Sequence, residues 1–251
     1  MRTQTLFFIA VLMAAVSMAQ EKTSGKIVFE EIVKLNITLD DTSSQMARML
    51  PRERKTERVL WFTPDKTLYR LYDGNSGEEV TTQEMEGANV MVRMIQPDDR
   101  IFTDLEKGTL TEQRDFMSRI FIIENEIQKN PWKLTGNQTR ILDYACQEAK
   151  MMRDSTEITA WFTAEIPMSA GPGTFTGLPG MVLSVNINNG TRTITAKSVD
   201  FIVPGDDDIA KPKKGKKVSQ EGFDLIVEEK TREMQEQYGG GEGNVVIRIR
   251  Q

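Results

Sequence analysis

The sequence contains no histidine and only one cysteine, Cys146. Without histidine, the chain has no Ser-His-Asp or Cys-His nucleophile pair, no HExxH zinc site and no imidazole-ligated metal site. One cysteine cannot close an internal disulfide, so the core must be stable without covalent cross-links. Cys146 alternates with apolar residues, which favours a buried, inert thiol over a reactive or intermolecularly bridged one.

The chain also lacks an excess of positive charge. It has 32 Lys and Arg residues against 37 Asp and Glu residues, which gives a formal net charge of −5. This balance argues against nucleic acid as a partner. The basic run 211–217 follows three acidic residues, 206–208, and we interpret both as a solvated loop. No motif for a cofactor is present, and we predict none.

Long apolar runs are absent after the first twenty residues. The single run, LFFIAVLMAAV at 6–16, follows Arg2 and precedes the small-residue exit Ser17-Met18-Ala19. It is too short to span a membrane and is typical of a secretory signal peptide, which we place at 1–19 with cleavage before Gln20. We therefore expect export through the inner membrane, to the periplasm, the outer membrane or the exterior.

Residues 20–251 are predicted to form a single β-rich domain. Short segments with period-two alternation, such as 26–39, are separated by turn residues, and Asn189-Gly190 is a strong hairpin signal. A short helix is predicted after Ser43 or Ser44, and a last strand at 244–250. Only 219–239 has a long helical pattern. The prediction is a mainly β (α+β) fold: a curved antiparallel sheet packed on one long C-terminal helix, with a half-open barrel similar to the periplasmic lipoprotein carriers as its topology.

The most unusual residue pattern lies in the segment 161–183, WFTAEIPMSAGPGTFTGLPGMVL. Its connector joins two strand-like stretches and contains three prolines and four glycines. Proline fixes φ, whereas glycine permits positive φ. Leu178-Pro179-Gly180 is therefore predicted to form a type II turn within a rigid loop.

The hexapeptide at 177–182, GLPGMV, with the preceding Trp161-Phe162-Thr163 and Glu165-Ile166-Pro167, resembles the GLPGLI family of bacterial envelope proteins. The likeness extends back through 141–149, ILDYACQEA, and covers roughly the C-terminal half. It departs from the family pattern at Asp143, where glycine is common. The resemblance implies a location in the envelope, near outer-membrane transporters. The family has no established biochemical role, so the resemblance gives no indication of an activity.

The first functional hypothesis is a non-catalytic binding module. Its predicted site is the rigid loop, whose apolar and turn residues line a cleft or a docking patch for a lipid-like ligand or an outer-membrane protein partner. The residues are Trp161, Phe162, Pro167, Pro172, Phe175, Gly177, Leu178, Pro179 and Gly180. The alternative is that Trp161 and Leu178 belong to the core and that the glycines and prolines only turn the chain.

Two other functions remain open. A carboxylate-dependent hydrolase would use Glu165 or Asp207 as acid and base, provided that two carboxylates lie at a suitable separation. Copper(I) handling is suggested by 14 methionines, because thioethers are soft ligands. The candidate ligands are Met85, Met91 and Met94, or Met151 and Met152. Methionine also fills cores, and no compact repeated motif is present.

Overall fold

A computed structural model describes residues 22–35, 52–72, the backbone of 78–85 and 88–95, and 97–238. The predicted signal peptide, the helix predicted after Ser43 or Ser44 and the strand predicted at 244–250 lie outside these residues, as do the side chains of Met85, Met91 and Met94. No helix in the described part of the chain is both long and apolar enough to cross a membrane.

Fourteen strands and one helix make up the described fold. The strands are β1 (Gly25–Lys34), β2 (Glu53–Phe62), β3 (Lys66–Leu71), β4 (Glu78–Met85), β5 (Ala88–Ile95), β6 (Arg100–Asp104), β7 (Thr109–Phe116), β8 (Arg119–Glu126), β9 (Lys133–Ile141), β10 (Tyr144–Arg153), β11 (Thr156–Thr163), β12 (Met181–Ile187), β13 (Arg192–Asp200) and β14 (Lys216–Val218). The helix is α1 (Gln220–Tyr238).

Twelve of these strands form one open sheet, in the order β14-β8-β7-β6-β3-β2-β1-β13-β12-β11-β10-β9, and β4 pairs with β5 in a separate hairpin. Neighbours run antiparallel except at β14, which pairs parallel to β8. The first strand lies inside the sheet, where Lys26 is opposite both Trp61 of β2 and Asp200 of β13. The predicted mainly β fold with an open antiparallel sheet and one long helix is confirmed.

The sheet is strongly curved. β7 and β10 are eight positions apart in the strand order, and at ~4.8 Å per strand a flat sheet would separate them by about 38 Å. Nevertheless Arg114 of β7 and Arg153 of β10 line the same cavity. The face that carries both residues is therefore concave.

The hydrophobic core covers the concave face on the β1 to β3 and β10 to β13 side. Alternate residues of each strand point to this face, as the period-two pattern requires. Fully buried members include Ile27, Phe29, Leu60, Phe62, Phe162, Leu183 and Ile194. Cys146 is also buried, as predicted, and burial raises the pKa of its thiol, which keeps the sulfur protonated.

The predicted hairpin between β12 and β13 is confirmed, with a longer loop than a two-residue Asn-Gly turn. Ile187 and Arg192 are the last paired residues. Between them Asn188 and Asn189 both have φ near +49° and Gly190 has φ +83°. The loop is closed by the Gly190 N–H, which donates to Asn186 Oδ1 at 2.7 Å.

The helix begins as predicted, because Ser219 Oγ accepts a hydrogen bond from Gly222 N at 3.1 Å and caps it. Phe223 packs edge-on against Phe116 and Phe121, at ring distances of 6.2 and 5.4 Å. Leu225 and Met234 are 65% and 48% exposed. The helix therefore packs on the sheet through its first turns, at β7 and β8, rather than along its whole apolar stripe.

The counter-charge of the basic segment before the helix lies on the sheet. Lys211 and Lys217 both pair with Glu124 of β8, at 2.7 and 3.4 Å. Asp208 instead accepts a hydrogen bond from Gly205 N. The segment is solvent-exposed, as predicted, but its charges are balanced by the edge of the sheet rather than by residues 206–208.

Candidate functional site

The Pro/Gly loop, residues 164–180, hydrogen-bonds back onto the start of β12. Gly180 N donates to Leu178 O at 2.8 Å, which closes a three-residue γ-turn around Pro179. Met181 N donates to Ile166 O at 3.1 Å instead of to Leu178. The predicted type II turn is therefore wrong, since Gly180 has φ +151° rather than the value near +80° that such a turn requires.

Close backbone approach explains two glycines of the loop. A Cβ at Gly180 would lie 2.1 Å from Thr163 O, and a Cβ at Gly171 would lie 2.5 Å from Phe175 O. Both distances are far inside van der Waals contact, so only glycine fits at these positions. These two glycines are therefore required by packing, whatever the function of the loop.

The loop is also held from outside by the segment between β8 and β9. Asn130 Nδ2 donates to the carbonyl oxygens of Thr174 and Thr176, at 3.1 and 3.0 Å. Trp132 Nε1 donates to the same Thr176 oxygen at 2.9 Å. These bonds hold residues 174–176 in place beside the concave face of the sheet.

The residues predicted to bind ligand differ in burial and fall into three classes. Phe162, Pro172, Phe175, Leu178 and Gly180 are buried, Trp161 is half-buried, and Pro167, Gly177 and Pro179 are exposed. Leu178 is only 2% exposed and belongs to the core, whereas Phe175, 6% exposed, lines a cavity. Of these nine residues Phe175 alone lines that cavity, and a binding role for all nine stays a prediction.

The cavity lies between the concave face and the loop, with a volume of about 410 Å³. This volume is within the ~300–1,000 Å³ usual for small-molecule sites. The wall formed by the sheet contains Glu31, Val33, Arg54, Arg58, Tyr69, Ile101, Arg114, Arg153, Thr156, Ile158, Ile187, Arg192 and Ile194. The rest of the lining comes from connecting segments and contains Pro97, Asp99, Asp154, Gly173, Thr174 and Phe175.

Glu31 is the centre of the buried charges on the β1 side of the cavity. Its carboxylate lies 3.2 Å from Arg58 Nε and 2.9 Å from Arg192 Nε. These contacts are ion pairs by distance, but neither Nε–H is oriented well enough to donate a hydrogen bond to the carboxylate. Both nitrogens are therefore buried without a hydrogen-bond partner among the described residues. Arg54 Nε and the Tyr69 hydroxyl are likewise buried without a hydrogen-bond partner there.

Burial and like charge act together on this group. Burial lowers the pKa of Arg54, and the neighbouring Arg58 and Arg192 lower it further, while Glu31 raises it. Burial also raises the pKa of Tyr69, so its hydroxyl stays protonated and is a hydrogen-bond donor. Arg58 lies over the Tyr69 ring at 5.7 Å. The β1 side of the cavity is thus a cluster of buried donors.

Asp99 organises the charges on the opposite side. Its Oδ2 lies 3.4 Å from Arg114 Nη1, and its Oδ1 accepts a hydrogen bond from Asp115 N at 2.9 Å. Its backbone oxygen accepts a hydrogen bond from Arg58 Nη1 at 3.3 Å. Arg114 also pairs with Glu112. The segment before β6 therefore links the arginines of β2 and β7.

Arg153 connects the cavity with the Pro/Gly loop. Its guanidinium lies over the Phe175 ring at 5.4 Å and donates to Asn130 Oδ1 at 2.8 Å. Since Asn130 also holds the loop backbone, the arginine and the loop share one hydrogen-bonded unit.

The other candidate residues do not meet in a site. Glu165 is exposed and accepts a hydrogen bond from Ala145 N, while Asp207 is exposed in the segment after β13. Met151 is buried and the adjacent Met152 is 58% exposed, so the two side chains point to opposite faces of β10. Among the described residues, no group of three or more Cys, Asp and Glu side chains has a metal-binding arrangement.

The arginines of the cavity were not identified from the sequence, although a signal for them exists. In β2, Arg54 and Arg58 have the same parity as the buried Leu60 and Phe62. Period-two alternation thus places two arginines on the apolar face. Charged residues on the core side of a strand are rare enough to mark a possible site.

A family described as "Protein of unknown function (Porph_ging)" has a model that matches residues 148–184. The match contains the GLPGMV hexapeptide and supports the resemblance to the GLPGLI family, without supplying a function. A comparison with curated proteins found no match.

Two solved structures of PNGF-II, in different space groups, are similar to this chain. Both have a TM-score of 0.53, at 15% and 14% identity. The matches cover 82% and 81% of this chain, but only 33% and 32% of PNGF-II, so this chain spans about a third of its length. At this identity the likeness shows the fold alone, and the likeness to lipoprotein carriers stays a prediction.

Proposed function

We propose that the protein is a non-catalytic binding module of the cell envelope that holds a lipid-like ligand in the cavity between the sheet and the Pro/Gly loop. The observation that carries the proposal is the cavity itself, which has an ordinary volume for a ligand site and a loop wall fixed by Asn130 and Trp132. Export to the envelope rests on the predicted signal peptide. An outer-membrane transporter as partner rests on the family resemblance.

The test is to fill the cavity with a large side chain. Thr174 lines the cavity and is half-buried, so Thr174→Trp introduces an indole at its wall. Thr195 is exposed on the opposite face of the sheet, and its hydroxyl lies 3.1 Å from that of Ser184. Thr195→Trp is therefore the matched control.

Each protein would be incubated with a lipid extract of bacterial envelopes and examined by native mass spectrometry. We expect a bound small molecule in the unmodified protein and in Thr195→Trp, and its loss in Thr174→Trp, with circular dichroism unchanged in all three. Equal binding by all three proteins, or binding by none, would overturn the proposal.

A further inference from the structure

The lining of the cavity is positively charged although the protein as a whole is acidic. Five arginines face it, at 54, 58, 114, 153 and 192, against three carboxylates, Glu31, Asp99 and Asp154. The net charge of the whole chain is −5. The lining thus has an excess of positive charge that the chain as a whole lacks, and low-dielectric walls strengthen its attraction for an anion.

The carboxylates present do not neutralise all of these arginines. Glu31 pairs with Arg58 and Arg192, and Asp99 pairs with Arg114. Within the described part of the chain, neither Arg54 nor Arg153 has a carboxylate within ion-pair distance. Arginine remains charged at every accessible pH, so this positive charge persists.

Among the cavity-lining residues, four of the buried side-chain atoms without a hydrogen-bond partner are donors, and one, Glu31 Oε2, is an acceptor. Arg54 Nε, Arg58 Nε, Arg192 Nε and the Tyr69 hydroxyl are buried and lack a hydrogen-bond partner among the described residues. Buried polar groups without partners are destabilising, and they are rare in folded proteins. Arg58 Nε and Arg192 Nε have the Glu31 carboxylate beside them, whereas Arg54 Nε and the Tyr69 hydroxyl have no acceptor at all among the described residues. A carboxylate or phosphate group would supply several acceptor oxygens at once.

The remaining lining is apolar, so an inorganic ion alone would leave most of it uncovered. Ile158 of β11 is opposite Ile187 of β12, Ile194 of β13 is the diagonal neighbour of Ile187, and Phe175 faces the cavity from the loop. Burying an apolar chain against these side chains adds free energy in proportion to the area covered. The lining is thus amphipathic, with donors beside an apolar wall.

From this arrangement we infer that the ligand is an acidic amphiphile, with a carboxylate or phosphate group bound by Arg54, Arg58, Arg192 and Tyr69 and an apolar chain along the isoleucine wall. The inference rests on the proposed function, because it assigns the chemistry of the ligand in the same cavity. A carboxylate and a phosphate share the recognition chemistry, so the experiment distinguishes them.

The test is titration calorimetry with four probes below their aggregation limits: decanoate, decyl phosphate, decanol and inorganic phosphate. We expect both acids to bind at least about tenfold more tightly than decanol, with affinity that falls as salt rises. Inorganic phosphate alone should bind weakly, because it leaves the apolar wall exposed. The tighter of the two acids identifies the head group.

Tyr69→Phe tests the donor cluster without removing a hydrogen bond, since the Tyr69 hydroxyl makes none with the described residues. We expect the affinity for the better acid to fall about threefold to tenfold, decanol binding to stay the same and the melting temperature not to decrease. Tyr72→Phe, half-exposed and outside the cavity lining, is the matched control. Arg153→Gln should reduce the salt dependence of acid binding, whereas Arg140→Gln on the exposed strand β9 should not.

The two proposals fail in different ways. If decanol binds as tightly as the acids, and Tyr69→Phe has no effect, the acidic head group is wrong while the cavity remains a ligand site. If none of the four probes binds to the unmodified protein, the proposed function fails together with the inference.

Discussion

Glu31 carries a negative charge on a side chain that is only 6% exposed. Two arginines lie beside it, and Arg58 is itself only 12% exposed. Removing one partner of a buried ion pair leaves the other charge desolvated and unpaired, which costs more than the pair contributes. The carboxylate thus keeps the arginines of β2 and β13 together on the concave face.

Glu31→Gln should therefore destabilise the protein by about 3 kcal/mol, because two arginines lose their counter-charge inside the sheet. Urea denaturation followed by circular dichroism measures this change. Glu157→Gln removes an exposed pair with Lys150 and should cost about 0.5 kcal/mol or less. Equal effects of the two substitutions would show that Glu31 is not a buried partner of these arginines.

Substitution of the two glycines in the GLPG sequence distinguishes a steric requirement for glycine from a requirement for positive φ alone. Gly180→Ala should destabilise the protein by about 3 kcal/mol, because the new Cβ meets the Thr163 carbonyl oxygen at 2.1 Å. Gly177→Ala should cost about 1 kcal/mol, since at φ +93° its Cβ has no neighbour closer than 3.8 Å. Thermal unfolding of both variants measures the difference, and a larger loss for Gly177→Ala would contradict this account.

The β9–β10 hairpin forms one edge of the sheet, and a carboxylate of β10 accepts hydrogen bonds from β9. Glu148 accepts hydrogen bonds from Thr135 Oγ1 and Asn137 Nδ2, both at 2.7 Å. The bond from Thr135 is the main cause of the lowered pKa of Glu148. All residues of β9 except Ile141 are exposed, so these bonds add to the backbone pairing with β10 where little side-chain burial holds the strand.

The lowered pKa gives this hairpin a pH dependence of known sign. The folded state favours the ionised carboxylate, so its contribution is complete above the ordinary glutamate pKa, about 4.3, and is lost as the pH falls through the folded pKa. Hydrogen exchange should therefore show that amide protection in β9 falls below about pH 4.3. Glu148→Gln should abolish this dependence, and a dependence that persists in the variant would contradict the assignment.

Patterns within single elements were the part of the fold that the sequence could predict. Alternation identified β12 and β13, and the cap at Ser219 and the glycines after Tyr238 located the helix. The Pro/Gly loop was predicted from its residues, but the predicted turn type was wrong. The backbone of Gly180 packs against the carbonyl oxygen of Thr163, at the end of β11. Turn rules use only neighbouring residues and do not include such a contact.

At the scale of the molecule, both halves of the chain share one sheet. β1 from the N-terminal half lies between β2 and β13, so neither half has a complete sheet alone. We predict that the described chain unfolds in one cooperative transition, as expected for a single domain. Residues 148–184, which match the family model, should not fold in isolation.

Tryptophan fluorescence tests this cooperativity. Trp61 lies on β2 and Trp161 on β11, so two variants that each retain only one of these tryptophans, with Trp132 replaced by Phe in both, report on opposite halves of the sheet. Their urea transitions should coincide in midpoint and slope. Separate midpoints would show that the two halves are independent domains.

The candidate cavity was hidden from the sequence for the same long-range reason. Its arginines come from β2, β7, β10 and β13, which meet only because the sheet curves and β1 pairs across the chain. Parity within β2 places Arg54 and Arg58 on the inner face, but nothing in the pattern shows that Arg192 and Glu31 lie beside them. The loop could be predicted from the sequence, whereas the grouping of the arginines depends on the topology of the sheet.

The central position of β1 also determines when the fold can be completed. Lys26 leaves the ribosome early, but its partner Asp200 is made only after most of the described chain. Contacts so distant in sequence form slowly, because a long loop must close before they stabilise the structure. Among the described strands, the first to be synthesised therefore completes its pairing only when the thirteenth has been made, and until then the middle of the sheet cannot form.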